Sequence, residues 1–311
     1  MILAPATIAE FSKALADANS RKAKIERVNL AALNRVLEHT PEDMTVTVEA
    51  GITLAELQKH VGQRRQWLAI DPPHPETTTI GEIINANPSG PRRFGCGTIR
   101  DYLIGLTAVL ADGTIIHSGG KVVKNVAGYD LMKLFIGGQG TVGVVVEATF
   151  KLRPLPEVER FVSAECKSLE EADKLIESVM QSEITPIVFD LHQLSQQDGF
   201  TFVLGFAGTR EEVEWQLVLA AKLGFTKPAS LDHETAFWAD ASPAHRLSVL
   251  PSKIIEAIRG LAGVPFDARA GNGVIHHRGT LTRSADKPPL ELTRRLKDAY
   301  DPNHIFPDLP L

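Results

Sequence analysis

The hydrophobic and polar positions of the first ninety residues alternate between a helical period and a strand period. Residues 7–18 repeat apolar side chains at helical spacing behind a capping Thr7, which predicts a short amphipathic helix. Residues 45–49 (TVTVE) alternate apolar and polar side chains, which predicts a half-buried strand. A capping-box sequence opens a second helix near residues 53–62, and a third helix is expected over residues 79–87.

The middle of the chain is rich in glycine. Between Gly81 and Gly143 lie 13 of the 24 glycines, more than turns alone require. Glycine lets the backbone approach a ligand closely and adopt positive φ, so this stretch is where we expect a bound phosphate or ring system. Residues 106–110 and 114–117 predict a hairpin around an Asp-Gly turn, and residues 142–152 predict a long strand.

The second half of the chain has a different pattern. Two prolines within residues 153–157 predict a boundary. Beyond it, strands and capped helices alternate in a βαββαβ order that indicates an antiparallel sheet covered by helices. The strands are expected at residues 161–166, 187–191 and 200–206, and the helices at residues 168–181 and 209–223. A weaker set of strands and a helix follows over residues 247–277, and a last helix is expected over residues 289–299.

Composition and charge exclude several classes of protein. The net charge is -5 and no run of five basic residues occurs, so the charge does not favour binding to nucleic acid or to an anionic membrane. The apolar runs are too short to span a bilayer, and the N-terminus does not read as a secretory signal. Two cysteines, Cys96 and Cys166, predict neither a disulfide framework nor a metal site. A cytoplasmic location is expected.

Three segments carry candidate chemistry. Small and hydroxyl residues at 79–81 and 87–97 can open backbone N–H groups toward a phosphate, although an ordinary Gly/Ser loop has the same composition. Residues 119–131 place lysines among glycines, as an anion site or a surface hairpin would. Residues 137–148 run from glycines straight into an apolar strand. Their Gly-x-Gly-x-x-Gly string precedes a strand instead of opening a helix, so a Rossmann dinucleotide site is rejected.

The three segments together resemble the FAD-linked oxidase superfamily, and in particular the family of glycolate oxidase FAD-binding subunits. The resemblance rests on GKVVKNVAGYDLMKLFIGGQGTVGVVVEATFKLRPLP, on LNRVLEHTPEDMTVTVEAGITLAELQ at residues 33–58, and on the terminal YDPNHIFP at residues 300–307. It implies an α+β fold. Residues 1–154 would form a PCMH-type, two-lobed FAD-binding domain of the vanillyl-alcohol-oxidase type. Residues 155–311 would form a ferredoxin-like cap domain.

The resemblance also implies which residues bind the cofactor, FAD. The pyrophosphate and flavin would be lined by one loop region, and the strand after the third segment would run along the cofactor. The implied residues are Thr79, Ile80, Gly81, Ser89, Gly90, Gly97, Lys124, Gly140, Gly143, Val144 and Val145. Asp130 and Gly128 belong to the same signature.

Two departures from the family pattern bear on FAD binding. A Gly-rich loop is expected between the first helix and residues 33–58, but here residues 16–26 run almost directly onward, and no glycine precedes Gly51. Relatives commonly carry Gly-Gly where this chain has Gly81-Glu82. A carboxylate close to a phosphate is unfavourable unless it points away.

Catalytic residues are less well defined. Residues 271–277 resemble a GDGNxH element of D-2-hydroxy-acid dehydrogenases but lack its aspartate, so His276 or His277 is a candidate base, and a surface histidine is the simpler interpretation. Two alternatives are open for Arg269 and Arg278. Either they bind a substrate carboxylate, or both are solvated. The remaining polar residues near the implied flavin site are interpreted as a loop histidine, a free thiol and two arginines that add charge or are solvated: His74, Cys96, Arg92 and Arg93.

The resemblance implies an enzyme component. The chain would be the FAD-binding subunit of a glycolate oxidase complex, oxidising a 2-hydroxy acid at its CH–OH group. Its partners would be a larger flavin subunit and an iron–sulfur subunit, since two cysteines cannot hold an iron–sulfur cluster. Peripheral contact with the inner face of the membrane through these partners is compatible with the sequence. Two alternatives stay open: a scaffold subunit that has lost FAD, and a stand-alone FAD-dependent 2-hydroxy-acid dehydrogenase.

Overall fold

The computed structural model describes residues 1–120, 130–195, 199–280 and 290–308. Helices cover antiparallel sheets, which confirms the α+β fold. Buried apolar side chains form three clusters, one for each of the three groups of elements along the chain.

The first group is a small parallel unit at the N-terminus. Strands β1 (Ile2–Leu3) and β2 (Arg27–Val28) pair side by side, with α1 (Ile8–Ser20) between them. The side chain of Thr7 accepts a hydrogen bond from the backbone N–H of Glu10, as the sequence predicted for this helix start. Residues 21–26 join α1 directly to β2, where the family pattern has a Gly-rich loop.

The second group is a five-stranded antiparallel sheet. Its strands lie in the order β3-β4-β8-β6-β7 and carry short helices at both ends. The strands are β3 (Val36–Thr40), β4 (Thr45–Glu49), β6 (Leu103–Val109), β7 (Ile115–Gly119) and β8 (Val144–Lys151). The helices are α2 (Leu54–Gly62), α3 (Ile80–Ala86), α4 (Arg93–Cys96), α5 (Ile99–Tyr102) and α6 (Met132–Phe135).

Most elements of this sheet were predicted, with two corrections. Residues 45–49 form β4 as expected, but both faces are covered, so four of its five residues are buried and Thr47 is partly buried, whereas a half-buried strand was predicted. The Pro-rich residues 153–157 do not end all regular structure. Arg153–Pro154 form β9, which pairs with β5 (Gln66–Trp67). A proline is tolerated there because β9 belongs to a two-stranded ribbon with a free edge.

The third group is a seven-stranded antiparallel sheet in the order β13-β10-β12-β11-β15-β16-β14. Its first four strands have the ferredoxin-like arrangement that the βαββαβ order predicted. The strands are β10 (Val158–Cys166), β11 (Val188–Gln193), β12 (Phe200–Gly208), β13 (Lys227–Pro228), β14 (His245–Ser248), β15 (Phe266–Arg269) and β16 (Val274–His277). The helices are α7 (Leu169–Gln181), α8 (Arg210–Lys222), α9 (Asp232–Ala239) and α10 (Ile254–Gly260).

Helix α9 was not predicted. Its N-cap is Leu231, which has no side-chain capping hydrogen bond, so the usual start signal is missing. Its two buried residues are His233 and Phe237, and only the second of them is apolar, so the sequence does not define an apolar stripe. Tertiary contacts therefore decide where this helix lies.

The last helix, α11 (Leu290–Tyr300), fastens the end of the chain to the first two groups. Lys297 is buried, and its Nζ donates to Asp301 Oδ2 at 2.6 Å and to the carbonyl of Thr141 at 2.9 Å. Asp301 in turn accepts from the backbone N–H groups of Ile305 and Phe306, both at 2.9 Å. These two apolar residues complete the core beneath α1.

Among the helices of the described ranges, none has both the length and the apolar character that crossing a bilayer requires.

Replacing Lys297 by Met should destabilise the fold strongly, because Asp301 would keep a buried charge without a cation. Breaking a buried pair in this way costs about 3–5 kcal/mol. Urea unfolding of the Lys297→Met chain should show a clearly lower midpoint. Lys253→Met removes an exposed pair with Glu256 and should leave the midpoint unchanged. Equal midpoints for the two variants would contradict this role of Lys297.

Candidate functional site

A cavity of about 240 Å³ separates the N-terminal parallel unit from the five-stranded sheet. We call it the N-terminal cavity. Its walls come from β2 and the residues beside it, from the start of α3, from the loop before β8 and from the chain end. The lining residues are Ile25, Glu26, Arg27, Val28, Asn29, Leu30, Ala31, Thr79, Gly81, Glu82, Asn85, Gln139, Gly140, Val144, Val145, Phe306 and Pro307.

Glycine and one unpaired amide leave room for a ligand here. Gly140 has φ +69°, and a Cβ at this position would have only Asn85 Nδ2 within 4 Å, at 3.9 Å. Gly81 packs against the backbone of Ala50, where a Cβ would meet the carbonyl oxygen at 3.2 Å. The side-chain oxygen of Asn85 is buried and has no hydrogen-bond partner. A buried acceptor without a donor is costly, so a ligand hydroxyl or amine would be stabilised beside it.

Glu82 carries a negative charge at the edge of the same cavity. Its carboxylate does not point away from the start of α3. Glu82 Oε2 accepts from the Thr79 backbone N–H at 2.8 Å and from Thr79 Oγ1 at 3.0 Å, which completes a capping box. The carboxylate therefore occupies the backbone N–H and the hydroxyl of Thr79, two donors that an anion would otherwise use.

The structure brings together only part of the predicted cofactor site. Five of the predicted residues line the N-terminal cavity, namely Thr79, Gly81, Gly140, Val144 and Val145. The neighbouring Ile80 is buried in the apolar core instead. Gly143 is in extended backbone, packed on the Phe135 ring, and it is not among the lining residues. Lys124 lies outside the described residues, as does Gly128.

The predicted residues of the 87–97 loop lie around Asp71. A Cβ on Gly90 would meet the Asp71 carbonyl oxygen at 1.9 Å, so only glycine fits there. The hydroxyl of Ser89 is buried and accepts from Arg93. Gly97 has φ +86° beside the carboxylate of Asp101. These glycines and Ser89 therefore shape the loop and do not line the N-terminal cavity.

A second, larger cavity of about 770 Å³ lies between the regions of the five-stranded and seven-stranded sheets. We call it the inter-sheet cavity. Its walls are mainly apolar and aromatic, with a few charged groups, which is typical of small-molecule sites. The lining residues are Leu54, Gln58, Trp67, Ile70, Asp71, Pro72, Pro73, His74, Pro75, Pro91, Arg92, Leu155, Pro156, Glu159, Leu231, Glu234, Thr235, Trp238 and Ala239.

Arg92 joins the two sides of the inter-sheet cavity. Its guanidinium donates to Asp71 Oδ2 at 2.9 Å and, through two nitrogens, to both oxygens of Glu159 at 2.7 and 2.6 Å. Arg92 is therefore an internal cation and not the solvated side chain that the sequence allowed. Burial raises the pKa of Asp71 to about 6, although Arg92 opposes this shift.

A buried charged cluster lies behind the opposite wall. Arg269 donates to Asp190 Oδ2 at 2.8 Å, Asp267 Oδ2 at 2.9 Å and Glu234 Oε2 at 2.6 Å. His233 Nε2 lies 3.3 Å from Asp190 Oδ2. Arg269 is thus bound to three carboxylates, and its predicted role as a partner of a substrate carboxylate is not supported.

The cluster also has the donor set of a metal site. Asp190, His233 and Asp267 offer ligand atoms within 4.8 Å of one another. The cation that the structure places between the two aspartates is the guanidinium of Arg269. This side chain supplies the positive charge that a metal would otherwise bring.

Three further predictions about side chains were wrong. His276 and His277 are not surface residues, because only 6% and 1% of their surfaces are exposed. Burial lowers the pKa of His276 to about 3, so this imidazole is neutral. Arg278 is neither free for a substrate nor solvated, since its guanidinium stacks on Phe237 at 4.5 Å and donates to the carbonyls of Phe237 and Ser242.

Sequence reasoning missed Glu234 and Trp238. Both lie on the unpredicted α9 and line the inter-sheet cavity. Trp238 contacts the ring of His276 edge-on at 5.2 Å and that of His74 at 6.1 Å. His74 was interpreted as a loop residue. Its backbone has φ +56°, and the residue lines this cavity. No spacing in the sequence predicts that residues 74, 238 and 276 contact one another.

Comparisons with known proteins agree with this architecture. A family model described as an FAD binding domain matches residues 26–119. The glycolate oxidase subunit GlcD of Bacillus subtilis is 38% identical over 158 residues, or 51% of this chain and 34% of the relative. The glycolate oxidase subunit GlcE of Escherichia coli is 33% identical over 138 residues, or 44% of this chain and 39% of the relative. The chain thus spans well under half the length of these relatives.

Solved structures extend the likeness to the whole fold. An alkyldihydroxyacetonephosphate synthase superposes with a TM-score of 0.74 at 14% identity, covering 98% of this chain and 76% of that one. The α+β architecture is therefore that of the PCMH-type fold. Residues 26–119 therefore resemble a domain that binds FAD, and the chain is similar to subunits of FAD-linked oxidases.

The residues of the N-terminal cavity fit part of this cofactor. Gly140, Gly81 and the unpaired oxygen of Asn85 suit a nucleoside, while the carboxylate of Glu82 disfavours a nearby phosphate. At about 240 Å³ the cavity is smaller than the roughly 300 Å³ at which ligand pockets usually begin. It can therefore enclose only a portion of FAD.

Neither cysteine should react in the folded protein. Cys96 and Cys166 are buried, and burial raises the pKa of Cys96 to about 11, so little thiolate forms at neutral pH. We expect Ellman's reagent to label no thiol in the native chain and two in guanidinium chloride. Labelling of one thiol under native conditions would contradict the packing around these residues.

Proposed function

We propose that this chain is the FAD-binding subunit of a glycolate oxidase complex and takes part in oxidising the CH–OH group of a 2-hydroxy acid. The observation that carries the proposal is the joint occurrence of the FAD-binding fold with two cavities of different character. The similarity to GlcD and GlcE supports the choice of substrate class.

Residues 1–154 would hold FAD, and residues 155–311 would cover its reactive ring. In this proposal the adenosine part occupies the N-terminal cavity beside Asn85 and Gly140. The loop with Ser89, Gly90 and Gly97, together with Lys124 and the backbone of Gly143, belongs to the proposed cofactor contacts on the strength of the family resemblance. Bound FAD would supply the two-electron acceptor for the substrate.

The partners proposed for the chain are a larger flavin subunit and an iron–sulfur subunit. Two relatives are named as glycolate oxidase subunits, which supports a multi-subunit assembly. Electrons would leave through such a partner, because a chain with two buried, separate cysteines cannot hold an iron–sulfur cluster of its own. A cytoplasmic location, with contact to the membrane only through partners, belongs to the same proposal.

A second candidate function is a scaffold subunit that has lost FAD. The six-residue link between α1 and β2 and the position of Glu82 favour it, because both reduce what the N-terminal cavity offers to a diphosphate. The deciding measurement is the visible absorption spectrum of the purified chain after gel filtration, with and without added FAD. A retained flavin band supports the first candidate, and its absence at tens of micromolar FAD supports the scaffold.

Glu82→Gln should tighten FAD binding. Glutamine keeps the capping box of α3 but removes the negative charge beside the N-terminal cavity. We expect the dissociation constant for FAD, measured by quenching of flavin fluorescence, to fall about five- to tenfold.

The matched control is Glu56→Gln. Glu56 forms the same capping box with Thr53 on α2, and it is not among the residues that line the N-terminal cavity. This control should bind FAD like the unmodified chain. If both variants changed the affinity equally, the effect would come from net charge and not from the position of Glu82.

A further inference from the structure

Helix α8 has a second apolar face, which points away from the protein. Its inner face, with the buried residues Val213 and Ala220, packs on β10 and β12. On the opposite side of the helix, Trp215 and Val218 keep 52% and 59% of their surfaces exposed. A tryptophan has a large apolar area, and leaving it in water forgoes the free energy that its burial would release. This outer face therefore has the apolar surface that a contact with another molecule needs.

The neighbouring helix α7 has a different outer face. Both helices contribute buried side chains to the same apolar cluster. Apart from Met180 near its end, the exposed positions of α7 carry charged or polar side chains, namely Glu170, Glu171, Asp173, Lys174, Glu177, Ser178 and Gln181. The exposed apolar pair of α8 instead lies in the middle of the helix. The position on the sheet therefore does not explain why α8 is apolar on its outer side.

Four exposed residues of α8 form one row, which we call the outer stripe: Glu211, Trp215, Val218 and Lys222. Their spacings of four, three and four residues keep them on one side of an α-helix, within an arc of about 60°. Such spacing is typical of the seam along which two helices pack. The outer stripe begins with a negative charge, is apolar in the middle and ends with a positive charge.

The order of charges in the outer stripe is complementary to a second copy of the same stripe running in the opposite direction. With a two-fold axis at the midpoint between Trp215 and Val218, Glu211 of each copy faces Lys222 of the other. The same axis places Trp215 of each copy against Val218 of the other. A parallel arrangement would instead bring like charges together. Neither Glu211 nor Lys222 has an ion-pair partner within the part of the chain that the structure describes, so both charges are available.

We propose that the outer stripe of α8 is a docking surface for a second copy of this chain, with the two helices antiparallel about a two-fold axis. The inference depends neither on the cofactor nor on the proposed oxidation. Trp215 contributes most of the affinity, since tryptophan is enriched among the residues that dominate binding. The two Glu–Lys pairs fix the antiparallel direction. One helix from each copy buries less than the roughly 1,200 Å² of a stable interface, so the dissociation constant should be about 10–100 μM.

The first test is sedimentation velocity of the full chain over a range of about 1 to 300 μM, which brackets the expected dissociation constant. The unmodified chain should pass from monomer to dimer across this range. Trp215→Ala should raise the dissociation constant about tenfold or more, because it removes the largest apolar contact of the stripe. A chain that stays monomeric at every concentration, or a Trp215→Ala chain that dimerises normally, would overturn the proposal.

The second test exchanges the charges of the outer stripe. Glu211→Lys and Lys222→Glu each bring two pairs of like charges together in a dimer, so either variant alone should dimerise about tenfold more weakly. An equal mixture of the two variants should form a heterodimer as tightly as the unmodified chain, because opposite charges then face each other at both ends. The matched control is Lys174→Glu, which makes the same change of net charge on an exposed position of α7 and should leave dimerisation unchanged.

The outcomes distinguish the possible occupants of the outer stripe. A mixture of Glu211→Lys and Lys222→Glu that does not associate would overturn the antiparallel pairing. If the isolated chain stays monomeric and Trp215→Ala instead weakens binding to a partner subunit, the occupant is that subunit and the second copy is ruled out. All the substituted side chains are exposed, so the urea midpoints of the variants should stay close to that of the unmodified chain. If Trp215→Ala does not fold, the mixture of the two charge variants decides.

Discussion

The ion pairs of the Arg269 guanidinium are the interactions that hold α9 against the seven-stranded sheet. A buried arginine without partners would be far too costly, and here three carboxylates from β11, β15 and α9 surround it. Helix α9 has neither a capping side chain nor an apolar stripe, so its contact with Arg269 through Glu234 helps to fix its position. The wall of the inter-sheet cavity, and the placement of Trp238 in it, follow from that contact.

A similar pairing closes the other end of the molecule. Lys297 and Asp301 hold the chain end against the N-terminal unit, and Phe306 and Pro307 thereby become part of the N-terminal cavity. Both cavities are thus bounded by segments far apart in sequence and fixed by buried ions. This explains why the apolar cores alone do not define the functional surfaces.

In the proposed function, the two cavities would divide the tasks that an FAD-dependent oxidation needs. The N-terminal cavity offers glycines and an unpaired amide oxygen, which suit part of a nucleotide. The inter-sheet cavity offers mainly apolar walls with a few charged side chains, which would suit a small-molecule substrate. Two carboxylates, Glu26 and Glu82, line the N-terminal cavity and would work against the first task, and Glu82 is the one that also caps α3.

The sequence by itself determined most local elements and the resemblance to FAD-linked oxidases. Caps at Thr7, Thr53, Thr79, Ser168 and Thr209 all begin helices in the structure, because a capping hydrogen bond depends only on residues three positions apart. Of the four glycines of the third segment, Gly140 lines the N-terminal cavity. Tertiary structure alone decided the burial of His276, the separate ion pairs that Arg92 and Arg269 form with carboxylates, and the position of Glu234 in the lining of the inter-sheet cavity. Each of these depends on charged side chains from distant strands that meet in the protein interior. The spacing of residues along the chain does not predict such contacts.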